Sequence, residues 1–72
     1  MTHVYKAIEL VGTSPDSFDA AVREAVARAA KKMRDLQWFE VVEQRGYLRD
    51  GGVNEFQVKV KVWFVLEDTR EE

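Results

Sequence analysis

The sequence predicts an α+β fold in the order β-α-β-β, and three observations carry that prediction. Apolar residues alternate one on, one off near the N-terminus and again through the last third of the chain. Between these runs they recur at spacings of three and four, the period of a helix. An Asp-Gly-Gly turn separates the last two extended runs and folds them into a hairpin.

The first strand is read in Val4 to Val11, where β-branched and aromatic residues interleave with Lys6 and Glu9 and Gly12 closes the run. Thr13-Ser14-Pro15-Asp16 then supplies hydroxyl caps, a proline suited to a first helical position and an acid for the positive end of the helix dipole. A helix is expected from about Pro15. Its apolar stripe is Phe18, Val22, Ala25, Val26, Ala29, Met33 and Leu36, and the many alanines let another backbone approach closely. Ser14 and Ser17 are read as capping residues at its start.

Extended structure returns from Trp38 to Leu48, and Arg49-Asp50-Gly51-Gly52 reverses the chain into Val53 to Leu66. In that last run Phe56, Val58, Val60, Val62, Phe64 and Leu66 share one face, which must cover the helix. Gln57, Lys59, Lys61, Trp63 and Val65 share the other. Strands of this length outrun their helix and leave ends and edges for neighbours. Glu67 to Glu72 is acidic and aperiodic and is expected to fray.

The whole of residues 1–72 is read as a single domain, and one this short buries only about 60% of the surface its unfolded chain exposes. Such a domain needs a staple. With no Cys and a single His, disulfides and structural metal sites are excluded, so a homo-oligomer is expected. The longest apolar stretches run about five residues, Val62 to Leu66 among them, too short to cross a bilayer, and no secretory signal is recognisable; a cytoplasmic location is the default. A formal net charge of -2 excludes nucleic acid, which demands a clustered basic excess.

Catalysis is not indicated. Glu40 and Glu43 differ in strand parity and do not converge on a regular strand, and neither Gly12 nor Gly51-Gly52 forms a phosphate loop. The aromatic and amide residues say more. Trp38 follows the helix at a corner, placed for a ligand or for subunit packing. Gln57 lies on the uncovered face and offers a donor and an acceptor to a heterocycle edge, or simply to water. Arg45 suits a phosphate or a surface ion pair.

Three segments, VYKAIELVGTSPDSFDAAV, LQWFEVVEQRG and FQVKVKVWFVLED, together resemble the dodecins, small flavin-binding proteins, across nearly the whole chain. The agreement is in order and spacing: Val11-Gly12-Thr13-Ser14, then Trp38-Phe39-Glu40-Val41, then Phe56-Gln57-Val58. The resemblance implies a three-stranded antiparallel sheet wrapped around one helix, with twelve copies forming a hollow homododecamer. It also implies non-catalytic storage and buffering of FMN or riboflavin, with flavins in pairs at subunit junctions and their excited state quenched, which protects against light. Trp38 would stack on the flavin ring and Gln57 would bond its polar edge. Arg45 and the chain around Val4, Tyr5 and Lys6 would line the site. Some dodecins also bind coenzyme A, and the basic positions matching that role are Arg28, Lys32 and Arg34 on the helix.

One departure from the resemblance is Trp63-Phe64-Val65, where many bacterial dodecins read glycine, phenylalanine, arginine. Val65 lacks the charge that would hold the phosphate of FMN, a contact typically worth about 1.5 to 3 kcal/mol, so the preference for FMN over riboflavin should weaken. Trp63 adds aromatic surface, fills space between subunits, or obstructs the pocket. In the last case the chain would be a coenzyme A carrier or a structural oligomer with a blocked flavin site.

Overall fold

A computed structural model of the chain describes residues 2–66; the acidic stretch from Glu67 to Glu72 lies outside the described residues. Strand β1 spans Tyr5–Ser14, helix α1 Phe18–Ala30, strand β2 Leu36–Arg49 and strand β3 Gly52–Val65. The sheet is antiparallel in the order β1-β3-β2, so β3 is central and pairs with both neighbours. The β-α-β-β order and the hairpin stand as expected.

The turn between β2 and β3 has Asp50 at φ 52° and Gly51 at φ 79°, both left-handed, flanked by the pair Arg49 and Gly52. Two consecutive left-handed residues match the twist of a two-residue hairpin, which is why Asp-Gly serves here.

Helix α1 lies over β1 and β3. Ala21 and Ala25 are buried beneath it against Val58, Val60 and Val62 of β3, Ala29 is buried further along the helix, and these six are the buried apolar residues among those described. Ile8, Leu10, Phe18, Val22, Val26 and Leu36 close around them. Phe18 meets Phe56 edge-on at 4.9 Å. The alternating face of β3 thus covers the helix as its pattern predicts, except Leu66, which falls beyond the strand and is half-exposed.

The helix differs from expectation at both ends. Thr13 and Ser14 pair with Gln57 and Phe56, so they belong to β1, which runs on past Gly12. The cap is Ser17, in extended conformation, whose Oγ accepts the Ala20 N–H at 3.0 Å, while Ser14 Oγ accepts the Asp16 N–H at 2.9 Å in the link before it. Pro15 stands in that link, outside the helix. At the other end the helix stops at Ala30, and Asp35, at φ 61°, turns the chain into β2. No Gly or Pro marks the stop, so the apolar spacing carries through Met33 to Leu36 although Leu36 opens a strand. Ser17→Ala removes the one side-chain acceptor at the helix start, and urea denaturation should find it less stable by about 1 kcal/mol. Ser14→Ala, away from the cap, should not shorten the helix by circular dichroism.

A helix of 13 residues is about 20 Å long, whereas strands of 14 residues run about 46 Å. The sheet therefore overhangs its helix, and the molecule is 59 Å in its longest dimension. On β2 the overhang is also lateral. Phe39 and Val41 stand opposite Val62 and Val60 on the helix side, yet each remains nearly half-exposed. Between them and Phe18, Val22 and Val26 runs an open groove of about 600 Å³.

Candidate functional site

The face of the sheet that the helix leaves open carries the candidate site, and a backbone irregularity determines who belongs to it. Along β2, Glu40 stands opposite Lys61 and Val41 opposite Val60, but Glu43 follows opposite Lys59, so Val42 is an extra residue in the ladder. A bulge of one residue reverses the alternation beyond it. Trp38, Glu40, Glu43 and Arg45 consequently lie on one face with Trp63, Lys61, Lys59 and Gln57. In a regular strand Trp38 and Arg45, seven residues apart, would face opposite ways. Glu40 and Glu43 do share a face, against the parity expected of a regular strand. Sequence alone carries no signal for this, because β2 does not alternate and only its register against β3 marks Val42 as extra.

At one end of this face are three aromatic rings. Trp38 and Trp63 are cross-strand partners, stacked with centroids 5.6 Å apart and planes 18° from parallel. Tyr5, on β1, approaches Trp38 at 4.8 Å with a tilt of 60°. Trp38 is still 45% exposed, a large indole surface left open to solvent. Trp38 is the third residue of β2, within the strand rather than at a corner following the helix, and Gln37 is a second extra residue that turns it to the open face while Leu36 faces the core. Offset-stacked indoles attract beyond the area they bury, so the pair forms one flat platform.

Further along the strands is a polar cluster. Arg45 Nε donates to Gln57 Oε1 at 2.7 Å and its Nη1 to Glu43 Oε2 at 3.2 Å. Gln57 Nε2 donates to Glu55 Oε1 at 3.2 Å, and Lys59 Nζ lies 3.8 Å from Glu43 Oε1. The amide is thus held in one orientation, with one N–H and one lone pair of its oxygen still to give.

Other candidate residues are placed less centrally. Val65 faces Tyr5 across the ladder, on the open face and near the aromatic end. Val4 precedes β1, and its carbonyl accepts the Leu66 N–H at 2.8 Å. Lys6 stands opposite Phe64, on the helix side, so its register sets it apart from the rings. Arg28 lies on the helix and pairs with Glu24 at 3.2 Å. Lys32 and Arg34 follow the helix in its link to β2, beside a recess of about 380 Å³; they do not extend a basic helix face, because the helix has already ended.

Residues 4–67 match the family described as Dodecin, and the dodecin of Thermus thermophilus is 52% identical over 69 residues, covering 96% of this chain and 100% of that one. The chain belongs to the dodecin family. A solved dodecin from Streptomyces coelicolor superposes with a TM-score of 0.89 at 51% identity, over 93% of this chain and 96% of its own. The calcium dodecin of Mycobacterium tuberculosis is 38% identical over 63 residues, 88% of this chain and 89% of its own. The β-α-β-β arrangement, with one helix against three antiparallel strands, is therefore the dodecin fold, as the three sequence segments imply. No helix among the described residues is long and apolar enough to cross a membrane, and no three His, Cys, Asp or Glu side chains among them gather as metal ligands.

Proposed function

We propose that this chain, as one domain over residues 1–72, binds a flavin at junctions between copies of itself and stores it without chemical turnover. The observation that carries the proposal is the exposed Trp38 indole, stacked on a partly buried Trp63, on the sheet face that the helix leaves bare. An electron-rich flat surface suits a flat electron-poor ring, and it fits a flavin because a polar edge partner, Gln57, is held ready on the same face.

The spacing of the two clusters supports a shared site. Trp63 and Gln57 are six residues apart on β3, about 20 Å. That exceeds what one ring spans, so the indole of one chain and the amide of another must meet at the ligand. The half-exposed Phe39, Val41, Tyr47, Leu48 and Val53 support the same assembly, since so small a core leaves apolar surface for neighbours to cover. Family membership supports twelve copies in a hollow shell and a cytoplasmic store.

When bound, the flavin supplies the light-absorbing, electron-accepting ring. Trp38 supplies the stacking plane and quenches the excited state, Gln57 orients the polar edge, Arg45 holds Gln57, and Tyr5 and Val65 border the ring. Coenzyme A is the less favoured ligand, because Arg28, Lys32 and Arg34 do not share one helix face.

Riboflavin fluorescence titrated with the purified protein, with FMN in parallel, tests the proposal. Strong quenching that saturates near one flavin per chain is the expected result. FMN should gain no advantage from its phosphate, because Val65 presents no charge to it. No quenching by either flavin would overturn the reading.

A further inference from the structure

Trp63 is held by more than its partner ring. Its indole Nε1–H donates to Glu40 Oε1 at 2.9 Å, a bond that crosses from β3 to β2. Lys61, opposite Glu40 in the ladder, places its ammonium 5.9 Å from the centroid of the same ring. Glu40 precedes the Val42 bulge and Trp38 lies two residues before it, so carboxylate and stacked ring face the same way from one strand. The bond fixes the indole's edge, and a ring fixed at its edge keeps one tilt.

We propose that Glu40 is a positioning residue and, with Trp63, determines the affinity of the flavin site: it holds Trp63 flat against Trp38, so that the ligand meets a rigid two-indole stack in place of one ring free to swing. The inference rests on the flavin reading for its ligand and on the ligand-free chain for its geometry. Trp63 stacks on one flank of Trp38 and Tyr5 approaches the same ring, and the 45% of Trp38 still exposed is the surface left for the ligand. Without the carboxylate, Trp63 gains its other staggered wells, and the stacked arrangement becomes one of about three to six alternatives. A site competent for that fraction of the time binds about three- to sixfold more weakly.

The experiment uses the full chain and compares Glu40→Ala, Glu40→Gln and Trp63→Gly with the parent. In the ligand-free protein, near-ultraviolet circular dichroism should show the coupled signal of two stacked indoles. That signal should fall in Glu40→Ala, persist in Glu40→Gln, whose amide oxygen still accepts the indole N–H, and vanish in Trp63→Gly. Riboflavin affinity should fall about three- to sixfold in Glu40→Ala and at least as much in Trp63→Gly, with Glu40→Gln close to the parent. Far-ultraviolet spectra and particle size establish that each variant is folded and assembled. An unchanged indole signal in folded Glu40→Ala would overturn the positioning role, and tighter riboflavin binding by Trp63→Gly would overturn the supportive role of Trp63. If the parent binds no flavin at all, the flavin reading fails while the indole signal still decides the role of Glu40.

Discussion

Replacing Trp38 by alanine is expected to weaken riboflavin binding by about 3 to 4 kcal/mol, roughly 150- to 900-fold, while leaving the chain folded. The estimate adds the apolar area a ring buries against a ligand, about 100 Å² at 25 cal/mol per Å², to an aromatic contact of about 0.5 to 1.5 kcal/mol. The fold survives because Trp38 is no part of the buried core, which consists of three alanines of α1 and three valines of β3. Fluorescence titration of the variant gives the affinity, and far-ultraviolet circular dichroism gives the fold. Trp38→Phe should lie between the parent and the alanine variant, keeping a plane but a smaller one. Riboflavin affinity equal to the parent's in Trp38→Ala would remove stacking from the mechanism.

A second large effect is expected at Gly12, and it concerns stability. A Cβ at this position would sit 2.1 Å from the carbonyl oxygen of Ala21 and 2.9 Å from the Cβ of Ala25. The struck oxygen belongs to helix backbone and has no rotamer to escape through. Overpacking usually costs about 1 to 3 kcal/mol, and a clash with backbone belongs at the upper end. Gly12→Ala should therefore lose about 3 kcal/mol and melt roughly 12 to 24 °C lower, or fail to assemble. Gly46→Ala is the comparison. There the nearest atom to a new Cβ is the Glu55 carbonyl oxygen at an ordinary 3.7 Å, and an alanine in a strand loses less entropy on folding than a glycine. Its melting temperature should match or exceed the parent's. Equal melting of Gly12→Ala and the parent would refute the close seating of α1 on β1.

Gly12 illustrates how the sequence can be read correctly for a residue's importance and incorrectly for its role. Taken alone it looks like the end of a strand, because glycine punctuates strands. In the structure it is a strand residue opposite Val58, kept bare so that Ala21 and Ala25 can close on it. The helix start was displaced for a related reason: Thr13 and Ser14 have the chemistry of caps, but ladder pairing to β3 outbids local capping, and Ser17 takes the role three residues on. The period-two face of Val58, Val60 and Val62 and the Asp50-Gly51 turn were legible because each depends on neighbours in sequence alone.

The site was legible by composition and not by facing. Trp38, Gln57 and Arg45 are unusual enough in a small domain to single out, and Gln57 and Trp63 share a face of an unbroken strand. Glu40 stands out in sequence only as one of two strand carboxylates, since its bond to Trp63 spans 23 residues of sequence. No local pattern reports a contact at that separation. The two extra residues in β2, Gln37 and Val42, likewise become visible only when β3 is laid beside them.

The extra residue at Val42 makes that point of β2 tolerant of a change in length. Deleting Val42 would join Val41 directly to Glu43, whose partners Val60 and Lys59 are already adjacent on β3, so the ladder would become regular and Trp38, Glu40 and Arg45 would keep the face they have. Losing a residue from the regularly paired stretch of β3 between Gln57 and Trp63 would instead turn one part of that strand over and exchange inside for outside. The bulge is thus spare length, a place where the strand can shorten by one residue without its two faces being mixed.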